Sequence, residues 1–150
     1  MSLTKRTLFS FTLYYIALII VTIVIGMLLE AYTEIDPPSS IGIVIFLAAV
    51  VGAGGKLGEH LSQMPTSGAL WGLSFKLMLT SFVVSGAMFA AIVGIIVSLD
   101  PSHATGFEFL FTLDPTTLAL IAMIVGLVYL LVARVMLPIG IKSGLKKRTR

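Results

Sequence analysis

The sequence predicts an all-α membrane protein that crosses a bilayer four times and keeps both termini in the cytoplasm. Three observations lead there. Hydrophobic residues make up 57% of the 150 and charged residues only 11%, with a mean hydropathy of +1.07. A water-soluble domain of this size carries roughly 25% charged residues to cover its surface, so much of this surface must face lipid. Four long apolar stretches are separated by short links of Pro, Gly, Ser and charge; every Lys and Arg falls on one set of alternate links or its edge, and all acids but Glu59 on the other. At this length a single membrane domain, residues 1–150, is expected.

The first span is placed at about 8–29, free of charge between Lys5-Arg6 and Glu30. At 1.5 Å per residue it reaches roughly 33 Å, enough for the hydrocarbon core. It is longer than the roughly 7–15-residue apolar region of a secretory signal, and Leu29-Glu30-Ala31 is poorly suited to cleavage, so an uncleaved signal anchor is expected. Pro37-Pro38 stop this helix, and Ser39 or Ser40 stands where a hydroxyl caps the next. The second span, about 41–57, is the shortest and the richest in small residues.

Thr66 or Ser67 caps a third helix that runs to about Ser98, roughly 48 Å. That exceeds the bilayer core, so its first turns, with Trp71 and Lys76, lie at the interface and the true span is about 74–98. Asp100-Pro101 ends it. The segment 106–111, with three phenylalanines, reads as lying on or dipping into the interface rather than as a span. Asp114-Pro115 combines a cap with a proline at the first helical position. The fourth span is expected at about 115–137, with Pro138 marking its end.

Orientation follows from charge. Glu30, Glu34, Asp36, Asp100, Glu108 and Asp114 occupy the segments after helices one and three, which hold no Lys or Arg. All ten Lys and Arg lie on the opposite side or at its edge. Cationic links stay in the cytoplasm, so residues 31–39 and 99–114 are expected to be periplasmic, and 56–66 and 139–150 cytoplasmic. The sequence pI near 9.4 is thereby accounted for by orientation signals, and nucleic acid is not an expected partner. Arg134 lies roughly 28 Å along from Pro115 and reaches the same edge. Trp71, Lys76 and Arg134 are the expected interface anchors.

Several chemistries find no support. The chain has no cysteine and no asparagine, which removes disulfides, thiolate chemistry, Cys-ligated metals and N-glycosylation. His60 and His103 fall on opposite faces and cannot share a metal, and no span holds a histidine for haem; no metal or cofactor is expected. Gly54-Gly55-Lys56 fails the phosphate-loop pattern, because Val50 holds the first glycine's place and Leu57 follows the lysine. Helix packing and a helix end account for these glycines. Asp100 and Asp114 share a face, as in intramembrane aspartyl proteases of the lipoprotein signal peptidase type, but that family's asparagine motifs are missing and each aspartate has a role beside a proline. Small multidrug exporters need a carboxylate within the first helix, and here no span contains one; a titrating group in the path is the usual mark of ion coupling.

Small residues recur at helical spacing. Gly86, Ala90 and Gly94 form a stripe on helix three, and Ala48 and Gly52, with Ala49 and Ala53 beside them, form one on helix two. Such spacing lets backbones approach closely. Burial of the two stripes within the chain, most simply against each other, is expected; a pore or an oligomer seam is the functional alternative.

The run Gly55-Lys56-Leu57, then Met64-Pro65-Thr66, Trp71 and Ser81-Phe82-Val83-Val84-Ser85 resembles an uncharacterised proteobacterial family of small four-helix membrane proteins over about residues 41–98. The family's pattern places an aromatic where Leu57 stands and an acid where Ala69 stands. The resemblance implies four helices and a bacterial inner membrane, and no activity. The leading expectation is a non-enzymatic protein acting on a membrane partner, such as an accessory subunit or an immunity protein against a membrane-acting toxin. An oligomeric small transporter or channel is the alternative, and an intramembrane enzyme has the least support.

Overall fold

The structure is a computed structural model, and it describes residues 3–33, 40–100, 112 and 114–148. Four long helices follow one another: α1 Leu3–Thr33, α2 Ile41–Gly58, α3 Ser67–Leu99 and α4 Pro115–Arg148. Each is long and apolar enough to cross a membrane. Helix is what such stretches must form in lipid, where every backbone N–H and C=O needs a partner within its own segment.

Two helix starts form as the sequence indicates. The Thr66 hydroxyl accepts from the Ala69 N–H at 3.4 Å at the head of α3. The Asp114 carboxylate accepts from the N–H groups of Thr116 and Thr117 at 3.0 and 3.3 Å, with Pro115 opening α4. The start of α2 differs: Ser40 makes no capping bond through its side chain. Its carbonyl instead accepts from Ile43 and Val44. Ser39 and the segment 106–111 lie outside the described residues.

The end of the fourth helix also departs from expectation. Pro138 does not stop α4, which continues to Arg148. An interior proline removes one helical hydrogen bond and crowds the preceding turn, at a cost of about 3 kcal/mol. Here the turns beyond it offset that cost, because Gly140, Ile141 and Gly144 are buried and the two glycines press on α2. Stopping at Pro138 would leave that face of α2 uncovered.

The helices pack in the ring order α1–α2–α4–α3, with the α2–α4 seam the most extensive. α2 and α4 run parallel, since Gly54 and Gly58 meet Gly140 and Gly144 in the same order. Arg6 and Thr7 of α1 line a cavity with Lys56 and His60, so the start of α1 lies at the end of α2. Lys5, Arg6, Lys56, Lys142, Lys146 and Lys147 therefore gather at one end of the bundle, called here the basic end.

The core sits in the half of the molecule nearest that end. Phe11 of α1, Phe46 and Val50 of α2, Leu77 of α3, and Leu137 and Ile141 of α4 are fully buried. On α3 the buried residues are Leu70, Ser74, Leu77, Met78 and Ser81, and none follows. α4 is exposed on every side from Pro115 to Val125. The far half is thus four apolar helices that bury little of one another.

Candidate functional site

The closest helix contact is made by four glycines. A Cβ at Gly54 would stand 2.9 Å from the Leu137 carbonyl oxygen and 3.2 Å from Gly140 Cα. One at Gly58 would run into the Ile141 carbonyl oxygen and lie 3.0 Å from Gly144 Cα. The relation is reciprocal, since a Cβ at Gly144 would collide with the Gly55 carbonyl oxygen. Two G-x-x-x-G faces lie backbone to backbone, where dispersion and Cα–H···O contacts replace side-chain packing. Gly54 carries the packing role that its sequence context suggests, and Gly58 shares it. Gly140 and Gly144 went unread, because a helix expected to end at Pro138 leaves them in a tail.

Just outside this seam Glu59 stands between two ammonium groups, 3.6 Å from Lys56 and 3.8 Å from Lys147. Partly exposed pairs of this length contribute about 0–1 kcal/mol each. They help to hold the end of α2 to the end of α4.

Above the glycines an aromatic column joins all four helices. Phe11 stacks on Tyr15 at 5.4 Å between centroids and meets Phe46 edge-on at 5.8 Å. Phe46 stacks on Tyr129 at 4.4 Å, and Phe82 lies 6.1 Å from Tyr129. The Tyr15 and Ser85 hydroxyls are hydrogen-bonded at 2.9 Å, tying α1 to α3. Phe11 and Tyr15 stand four residues apart on one face of α1, but the pairings between helices have no counterpart in the sequence pattern.

Two of the three expected anchors act together. The Arg134 guanidinium lies 5.4 Å from the centre of the Trp71 ring and donates through Nη2 to the Ser67 hydroxyl at 3.0 Å. Its Nε is buried and makes no hydrogen bond. Arg134 and Trp71 therefore form a clamp between α4 and the start of α3. Lys76 is exposed one turn further on, and its carbonyl accepts from Thr80.

The expected small-residue stripes divide. Gly52 packs on the Tyr14 ring, 3.4 Å from a Cβ built there, and Ala49 and Ala53 are fully buried, while Ala48 faces outward. On α3 the expectation fails. Gly86, Ala90 and Gly94 are all exposed, and among the described residues nothing lies within 4 Å of a Cβ at Gly86 or Gly94. They do not pack on α2, because α2 is occupied by α4 and α1, and α3 turns its first half, not its second, into the core.

Among the described residues, four helices are long and apolar enough to cross a membrane, the pattern of a multi-pass membrane protein. No protein-family model, curated protein or solved structure matches the chain.

Proposed function

We propose that this chain is a multi-pass protein of a bacterial inner membrane, with both termini in the cytoplasm, that acts by binding another membrane component and performs no chemistry itself. The absence of Lys and Arg from the links that hold six of the seven acids supports the orientation. The observation that carries the binding reading is the outward side of α3. Gly86, Ala90 and Gly94 offer a smooth backbone surface along two turns, with open space where a second helix would seat. Small-x-x-x-small faces are how helices associate in lipid. Ser81 and Ser85, the hydroxyls best placed to line a channel, are engaged with the Met78 carbonyl and with Tyr15.

The test uses that open space. Replacing Gly86 and Gly94 together by leucine touches nothing inside the chain, so stability in detergent should stay within about 0.5 kcal/mol. The membrane component that co-purifies with the unaltered protein in mild detergent should be lost. Undiminished co-purification would remove the α3 face from the interaction. Ion or proton flux through liposomes holding the pure protein, abolished by a substitution at Ser85, would replace the binding reading with a channel.

A further inference from the structure

At the basic end, between α1 and α2, lies a cavity of about 320 Å³. Arg6 comes to it from α1, and Lys56 and His60 from the end of α2, with the Thr7 and Ser10 side chains alongside. Arg6 forms no ion pair with a described residue. Lys56 has Glu59 at 3.6 Å, but that carboxylate also faces Lys147. His60 Nδ1 lies 3.0 Å from the Lys56 carbonyl oxygen. A carbonyl only accepts, so Nδ1 carries the proton and Nε2 is the nitrogen left for another group. The side chains lining this cavity include three basic groups and two hydroxyls and no acid.

Phe9 closes one side of the cavity and opens a second feature. A shallow groove runs from Phe9 past Leu13, Ile16 and Ala17 to Ile20 on the outward side of α1. Its lining is almost wholly apolar apart from Thr12, whose hydroxyl is spent on the Leu8 carbonyl at 2.9 Å. Eleven helical steps cover about 16 Å, roughly half of a hydrocarbon core about 30 Å thick. A basic cup at the edge therefore leads into an apolar track one leaflet deep.

We propose that the cup and the groove form one binding site for an anionic phospholipid, its phosphate held by Arg6 and Lys56 and one acyl chain laid along Phe9, Leu13, Ile16 and Ile20. The occupant is chosen by two complementary halves. Guanidinium and ammonium groups, here with the Ser10 hydroxyl beside them, recognise phosphate oxygens, and basic pockets between spanning helices take up anionic headgroups. A free phosphate would leave the groove unused, and a partner helix would not need the cup. This site is on the far side of α1 from the aromatic column and does not depend on the α3 face.

The full chain in non-ionic detergent micelles, titrated with single lipids and read by native mass spectrometry, tests this. Dioleoyl phosphatidylglycerol should bind at least fivefold tighter than dioleoyl phosphatidylcholine. Arg6→Gln should weaken it about fivefold, the effect of removing one cation at a membrane surface. Lys56→Gln should act in the same direction and serves in place of Arg6→Gln if that variant does not fold. Lys142→Gln, which removes an equal charge from an exposed site on α4, should change binding less than twofold. Ala17→Trp, which fills the groove from the outside, should weaken the dioleoyl lipid while leaving dihexanoyl phosphatidylglycerol unaffected. Equal binding of the two headgroups would overturn the proposal. So would a loss with Lys142→Gln as large as that with Arg6→Gln, or displacement of the lipid by inorganic phosphate at millimolar concentration.

Discussion

Gly54 and Gly58 on α2 and Gly86 and Gly94 on α3 are the same residue at multiples of the same four-residue step, yet their surroundings are opposite. The first pair is pressed against the backbone of α4 so closely that a methyl group would strike a carbonyl. The second pair has no described residue within 4 Å of where a Cβ would stand. Spacing alone brings small residues to one face of a helix; a partner face has to exist for that face to be used. α2 meets such a partner in Gly140 and Gly144, whereas the stripe on α3 meets none among the described residues. A glycine stripe thus reports the capacity for close approach, and only the neighbouring helix decides whether the capacity is spent inside the molecule or left on its surface.

The largest effect that can break this comparison is a leucine in each stripe. Gly58→Leu or Gly144→Leu should separate α2 from α4 and destabilise the fold by about 3 kcal/mol or prevent folding, the upper end of overpacking costs. Gly86→Leu should leave the thermal midpoint in detergent unchanged. Equal tolerance at the two sites, measured by circular dichroism on heating, would show that the contrast has no energetic weight. Ala90→Leu belongs with Gly86→Leu, since Ala90 is exposed as well.

A smaller effect is expected at the clamp. Arg134→Ala removes the contact with Trp71 and the bond to Ser67, each contributing about 1 kcal/mol. A loss of about 1–2 kcal/mol should follow, together with a shift in emission from Trp71, the one tryptophan of the chain. An unchanged emission spectrum would mean that the two side chains do not meet in solution. Arg134→Lys should not restore the contact fully, because a compact ammonium lacks the planar fork that stacks on a ring.

Smaller still is Tyr15→Phe, which keeps the stacking on Phe11 and loses the bond to Ser85. Side-chain hydrogen bonds between spanning helices average about 0.6 kcal/mol, so a loss of that size is expected and Ser85→Ala should give no further loss in the double variant. The least effect is predicted for Ser74→Ala. Ser74 is fully buried and its hydroxyl makes no hydrogen bond, so deleting the oxygen should leave stability unchanged or raise it slightly. A loss above 1 kcal/mol would assign that hydroxyl a partner.

The four helices and most of their limits were legible from residues. Long uncharged stretches must be helical in lipid, and Thr66, Asp114 and Pro115 mark their starts by local chemistry. Pro138 misled because its local signal is to end a helix, and what overrides it is the docking of Gly140 and Gly144 some 80 residues from their partners in sequence. The aromatic column was hidden for a similar reason. Phe11, Tyr15, Phe46, Phe82 and Tyr129 are five rings among a chain that is apolar almost everywhere, and hydropathy does not distinguish a ring facing another ring from one facing lipid.

By itself the sequence determined how many helices form, where they begin and how charge divides between their ends, because these depend on the bilayer-scale length of each stretch and on short-range capping. Only the tertiary structure decided which faces meet. In water the hydrophobic effect would drive apolar faces inward and leave a readable pattern, but in lipid the tails are as apolar as the side chains, so inside and outside look alike. Close packing then makes the choice: α4 fits α2 where two glycine pairs align, and the same kind of stripe on α3 is left facing out.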